Sequence, residues 1–119
     1  IEAEKARQLA EIKGRIRRFR GVKEKVPLKG KTVILTDDGV ATGATMQAAL
    51  WDARQDNPER LIAAIPVGAK DSLEALVECA DELIALRVPE YLVAIGQFYL
   101  NFEQTSDEEV LEILREKDI

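Results

Sequence analysis

The sequence predicts an α/β fold, a parallel β-sheet with flanking helices. Short, uncharged, β-rich runs alternate with longer stretches whose apolar residues recur at helical spacing. Gly or Pro punctuates the junctions between them. Strand, helix, strand, helix, strand in this rhythm implies β-α-β units with right-handed crossovers. At 119 residues the chain has enough material for one core.

In the first twenty residues Leu9, Ile12, Ile16 and Phe19 draw a single apolar stripe on a helix, which Gly21 closes. Pro27, Gly30 and the lysines between them form a linker. Residues 1–31 are therefore expected to be a basic helix with its linker, and 32–119 the α/β domain. Thr32 to Thr36 reads as a buried strand, too short for a helix. Gly43 or Ala44 opens a second helix through Met46, Ala49, Leu50 and Ala53, which ends near Asn57-Pro58 because proline cannot continue it. Leu61 to Val67 is the next apolar run, stopped by Gly68. Asp71 and Glu74 have capping-box spacing for a helix to about Ala80. A third strand, Glu82 to Val88, ends at Pro89. Glu90 to Gln104 has neither period and reads as a partly buried loop with one helical turn. Ser106 and Glu109 form a second capping box, opening a terminal helix whose Val110, Ile113 and Leu114 face inward.

Net charge conceals an asymmetry. Through Lys31 there are 11 basic and 4 acidic residues, and beyond it 6 basic and 18 acidic. The stretch Lys13 to Lys25 has the charge of a nucleic-acid patch, yet Phe19 is its one aromatic and no nucleic-acid module accompanies it. A solvated helix face that packs against the acidic remainder or against missing chain is the preferred reading. The acidic run Asp107 to Glu109 is explained by its place in a first helical turn, where negative charge complements the dipole. With no histidine and one cysteine, zinc sites and Ser-His or Cys-His catalysis are set aside. Lone Cys79 has no disulfide partner and fits a reducing, cytoplasmic setting, and no run is long enough to span a membrane. The chain opens at Ile1 inside a helical pattern, as the carboxyl-terminal part of a longer protein would.

The chemistry concentrates in "VILTDDGVATGAT", Val33 to Thr45. Asp37 and Asp38 fall where the first strand ends, and ligands of open parallel sheets gather at that edge. Gly39 to Thr45 then offers backbone N–H groups with little steric cover, the hydroxyls of Thr42 and Thr45, and the positive end of a helix. This is a cradle for a phosphate. No lysine follows, so it is not the GxxxxGK loop. Carboxylates beside a phosphate are a liability unless they address another part of the ligand, such as vicinal hydroxyls or positive charge developing at an anomeric carbon. The loop reads as a ribose-phosphate site.

Those thirteen residues resemble the signature of the type I phosphoribosyltransferases, which bind 5-phosphoribosyl-1-pyrophosphate (PRPP). "IPVGAKDSLEALVECADELIALRVPE" and "AIGQFYLNFEQTSDEEVLEIL" are similar to a bacterial branch of predicted phosphoribosyltransferases. The resemblance implies a Rossmann-like three-layer fold, and Asp37 and Asp38 holding the ribose hydroxyls, directly or through Mg²⁺. Gly39, Val40, Ala41, Thr42, Gly43, Ala44 and Thr45 would complete the substrate-binding loop, with Ala41 to Thr45 receiving the 5-phosphate. It implies an enzyme of nucleotide metabolism that transfers phosphoribosyl from PRPP to a nitrogenous acceptor and releases pyrophosphate. Two departures stand out. The 6-oxopurine enzymes carry an aspartate where this chain has Ala41, which argues against hypoxanthine or guanine as acceptor. Nothing ahead of Thr32 resembles the family's pyrophosphate loop or mobile lid, so the chain by itself is expected to be inactive, or else a non-catalytic PRPP- or nucleotide-binding regulatory module. The one-sided helix at Ile1, Leu9 and Ile16 implies association, with a second copy or with a missing amino-terminal half. Among Tyr91, Phe98, Tyr99 and Phe102 one ring is a candidate to stack on an acceptor base, and Gln97, Asn101 and Gln104 are candidates to read its edge.

Overall fold

The computed structural model describes residues 1–22 and 24–116. They form two compact units, one of Ile1–Val26 with the chain from Glu103 onward, the other of Pro27–Phe102.

The first unit is a pair of helices, α1 (Glu2–Val22) and α4 (Asp107–Glu116). Glu2 and Glu4 in the first turn of α1 and Arg20 in the last complement its dipole. Arg7 pairs with Glu4 and, at 3.1 Å, with Glu11 one turn on. Helix α1 runs through Gly21 to Val22, one residue past the expected stop. The capping box of α4 forms as its spacing predicts: the Ser106 hydroxyl accepts the Glu109 N–H at 3.2 Å, and the Ser106 N–H donates to the Glu109 carboxylate at 3.4 Å. Arg15 and Arg18 reach Asp107 at 3.3 and 3.2 Å, and Arg18 reaches Glu108 at 3.2 Å, so part of the basic arm pairs with the acidic first turn of α4. Neither helix has a fully buried residue. Val110, Leu111 and Leu114 are half-buried, whereas Ile113, expected inward, is exposed; two helices alone leave no third surface to cover it.

The second unit is a three-stranded parallel sheet in the order β1 (Thr32–Thr36), β2 (Arg60–Val67), β3 (Glu82–Arg87). Thr32 pairs with Arg60 and Thr36 with Ala64, while Ile62 pairs with Glu82 and Val67 with Arg87. Central β2 alternates strictly: Leu61, Ala63, Ile65 and Val67 are buried, and the residues between them only half so. Helices α2 (Ala44–Gln55) and α3 (Lys70–Leu76) cover that face, contributing Met46, Leu50, Ala53, Leu73 and Leu76 to one core. Ile34, Ile84 and Leu86 on the other face are exposed.

Helix α2 ends as expected. Asn57 adopts φ 54 and its N–H bonds the Arg54 carbonyl at 3.1 Å, with Pro58 next. Helix α3 corrects the expectation at Asp71. It starts at Lys70 from an Ala69 cap with no side-chain cap bond, and it stops at Leu76, not Ala80. Asp71 is inside the first turn because the preceding backbone is already fixed: Ala69 donates to the Val40 carbonyl at 2.9 Å and accepts from Leu73 at 2.9 Å. The early stop lets Asp81 reach β2, where its N–H meets the Leu61 carbonyl at 2.8 Å and its carboxylate the Leu61 N–H at 2.7 Å. A 3₁₀ turn at Ile95–Phe98 interrupts the segment after β3, as its lack of period suggests. Among the described residues, no helix is long and apolar enough to cross a membrane.

Candidate functional site

Strand β1 lies at the edge of the sheet, and its chain continues from Thr36 into Asp37 and Asp38. Both carboxylates are exposed, and the Asp38 N–H donates to the Asp37 carboxylate at 2.8 Å. Two residues later the chain is caught again. The Val40 N–H bonds the Val67 carbonyl at 2.9 Å, and the Val40 carbonyl receives the Ala69 N–H at 2.9 Å. Val40 is 3% exposed, so its side chain anchors the loop in the core while the residues on either side are held at the surface.

Beyond Val40 the loop is held by few contacts and leaves many donors open. Gly43 takes φ 87 as it enters α2, a conformation that favours glycine. The Thr42 hydroxyl accepts the Ala44 N–H at 3.4 Å, and Ser72 on α3 donates to the Ala41 carbonyl at 2.6 Å. Among the described residues, no protein acceptor takes the N–H groups of Ala41, Thr42, Gly43, Thr45 or Met46. These are the donors that an α-helix start leaves for an anion.

A cavity of about 170 Å³ opens here, lined by Asp37, Gly39, Val40, Ala41, Thr42, Gly43, Thr45, Met46 and Ile95. Seven of these nine are residues that the sequence nominates. Asp38 and Ala44 are not on its wall, and Met46 and Ile95 are additions. Asp37 is the one charged residue lining it.

The Asp38 carboxyl, exposed as a residue but partly desolvated by its surroundings, is raised above its ordinary value, first by that desolvation, then by the charge of Asp37 and their mutual hydrogen bond; the N–H groups of Gly39 and Asp38 oppose this. The pair thus favours a ligand that brings positive charge or hydroxyl donors.

The aromatic segment divides. Tyr91 is exposed. The Tyr99 hydroxyl donates to the Asp38 carbonyl, and its ring meets Phe102 with centroids 5.2 Å apart. Gln97 accepts the Ala94 N–H at 3.0 Å inside the 3₁₀ turn, while Asn101 and Gln104 are exposed. Ser72 and Ile95 escape sequence reasoning, and Tyr99 is named there only as one of four rings that could stack on a base, because the contacts of all three with the loop span 31 to 61 residues.

The chain matches no family model. It is 40% identical over 114 residues to a protein named "Putative phosphoribosyl transferase" in each of two strains of Mycobacterium tuberculosis, an alignment covering 96% of this chain and 26% of each relative. These relatives support a phosphoribosyltransferase family. The crystal structure of TT1426 from Thermus thermophilus superposes with a TM-score of 0.87 at 44% identity, over 97% of this chain and 55% of that one. The chain therefore spans about a quarter of the curated phosphoribosyl transferases and about half of the solved protein. The three-stranded α/β sheet and its loop belong to the shared portion.

Proposed function

We propose that this chain carries the ribose-phosphate site of a phosphoribosyltransferase and binds PRPP. The observation that supports it most strongly is the set of five unengaged N–H groups from Ala41 to Met46, in residues that line one cavity with Asp37, the neighbour of Asp38. The amides and the Thr42 and Thr45 hydroxyls receive the 5-phosphate. Asp37 and Asp38 accept hydrogen bonds from the ribose 2- and 3-hydroxyls and stabilise positive charge at the anomeric carbon as pyrophosphate departs. In the full reaction the bond from that carbon to pyrophosphate oxygen breaks, a bond to the acceptor nitrogen forms, and the acceptor gives up a proton.

Among the described residues, no three His, Cys, Asp or Glu side chains gather as a metal cage. Two adjacent carboxylates still suit Mg²⁺, which is commonly held by one or two carboxylates together with substrate oxygens and water. Asp37 and Asp38 would hold it, and when bound it would neutralise pyrophosphate charge. Among the described residues the cavity lining includes no lysine or arginine to meet pyrophosphate, which favours a second reading for this chain by itself, binding without turnover, as in a PRPP-sensing module.

Calorimetric titration of PRPP with Mg²⁺, and of ribose 5-phosphate, into the chain and into Asp37→Asn/Asp38→Asn tests the proposal. The expected result is saturable binding that the double substitution weakens by about tenfold or more, since hydrogen bonds to charged groups contribute about 1.5–3 kcal/mol. Binding of neither ligand, or equal binding by both proteins, would refute it. Addition of candidate nitrogenous acceptors then separates the two readings by whether pyrophosphate is released.

A further inference from the structure

We propose that Tyr99 is a positioning residue for the acidic turn, holding Asp37 and Asp38 in place through the Asp38 carbonyl. The inference rests on the ribose-phosphate reading for its functional consequence and on the fold of Pro27–Phe102 for its geometry.

The turn needs such a support. Among the described residues strand β1 pairs on one side only, and its ladder stops at Thr36. The next backbone attachment to β2 is at Val40. Between these points the Asp38 carbonyl has a single protein donor among the described residues, the Tyr99 hydroxyl, 61 residues along the chain. The same segment closes on the turn a second time. A Cβ built at Gly39 would lie 2.6 and 2.8 Å from two Ile95 side-chain carbons and 3.0 Å from Val67, so the backbone there is gripped between the 3₁₀ turn and the end of β2.

Tyr99 is itself well held. Its ring packs on Phe102, Phe102 lies so close to Gly96 that a Cβ there would approach it to 3.0 Å, and the Gln97 side chain closes the turn onto the Ala94 N–H. A tyrosine fixed in this way fixes what it donates to. Its hydroxyl is therefore spent on the loop.

Tyr99→Phe removes the hydroxyl and leaves the ring. Three measurements on the 119-residue chain decide the matter: the urea midpoint, hydrogen exchange of the Asp38, Gly39 and Val40 amides followed by NMR without ligand, and calorimetric binding of ribose 5-phosphate and of PRPP with Mg²⁺. The expected result is a largely retained midpoint, faster exchange at these three amides than in the wild type as the turn loosens, and binding weakened about fivefold, the equivalent of one hydrogen bond. Phe102→Leu, which disturbs the ring pair but keeps the hydroxyl, should leave both the exchange and the binding closer to wild type. Unchanged exchange at these amides in Tyr99→Phe overturns the positioning role, as does unchanged binding where the wild type binds. If the wild type binds neither ligand the ribose-phosphate reading fails, and the ligand-free exchange still decides whether Tyr99 holds the turn.

Discussion

Replacing Gly39 with alanine should destabilise the sheet unit by about 2 kcal/mol, within the range for forcing a methyl group into a packed site. The space is accounted for atom by atom. The new Cβ would sit 2.6 Å from Ile95 Cδ1, 2.8 Å from Ile95 Cγ2 and 3.0 Å from Val67 Cγ1, where carbon atoms prefer about 3.5–4.0 Å. Ile95 Cδ1 can swing away by a rotamer change. Cγ2 is fixed directly to Cβ, and Val67 is buried in the core, so the turn and the 3₁₀ segment must separate.

Gly43→Ala is the control with a different cause. Its nearest contact would be Ser72 Cβ at 3.4 Å, but its φ is 87, so the cost is backbone strain of about 1–2 kcal/mol. Urea unfolding read by Trp51 fluorescence suits the comparison, because the chain's one tryptophan lies on α2 in the same unit. Adding Ile95→Ala should recover about 1 kcal/mol or more from Gly39→Ala, the coupling expected of residues in direct contact. The same addition should be additive with Gly43→Ala. Coupling below about 0.5 kcal/mol at Gly39, or equal coupling at both glycines, would refute the clash as the cause.

Further outcomes follow from the same geometry. Leu61→Ala, at a fully buried position, should cost about 2–5 kcal/mol in urea unfolding, and a smaller loss would mean that the core repacks around it. Ser106→Ala removes the hydroxyl that caps the Glu109 N–H in the α4 capping box and should cost about 1 kcal/mol of helix stability, read as lost helical ellipticity on heating. Asp81 is held below the usual carboxylate range, chiefly by the Leu61 N–H and then by Arg54. Its contribution is present above the unfolded value and lost as pH falls through the lowered folded value. Asp81→Asn should therefore flatten the acid limb of a stability-versus-pH curve, and an unchanged limb would show the carboxylate idle. Asp38 has the opposite sign, because its folded value is raised: its contribution is full below the unfolded value and lost as pH rises through the folded one. Asp38→Asn should remove that decline, and persistence of the decline would assign it elsewhere.

The sequence made legible what depends on near neighbours. Thr32–Thr36 is a strand as its β-rich, uncharged run implies, although at the sheet edge none of its residues is buried as expected, α2 stops at Asn57-Pro58, and Ser106 finds Glu109 three residues on. All three rest on backbone chemistry within one turn or one strand. The Asp71-Glu74 spacing failed as a cap because Ala69 was already bound to Val40, a bond that no local pattern encodes. Ile113 has helical periodicity but only one neighbouring helix, so half of its surface remains exposed. Periodicity identifies an apolar face; whether anything covers it is a tertiary matter.

The candidate site divides along the same line. Asp37, Asp38 and the run from Gly39 to Thr45 were visible because the proposed phosphate cradle would be built from consecutive amides, and consecutive residues are what a sequence displays. The atoms that hold the cradle come from elsewhere: Ser72 from α3, Ile95 and Tyr99 from beyond β3, each meeting the loop's backbone or a glycine's open side. Such contacts leave no residue-type signature, since a serine, an isoleucine and a tyrosine are ordinary in their own elements. Their effect is nonetheless specific. Tyr99 and Ile95 restrain the turn on one side and Val67 on the other, while the amides beyond Val40 remain unengaged. That arrangement sets two exposed carboxylates and an open set of donors along one strand-to-helix connection, the disposition that the proposed ligand, with hydroxyls at one end and a phosphate at the other, would need.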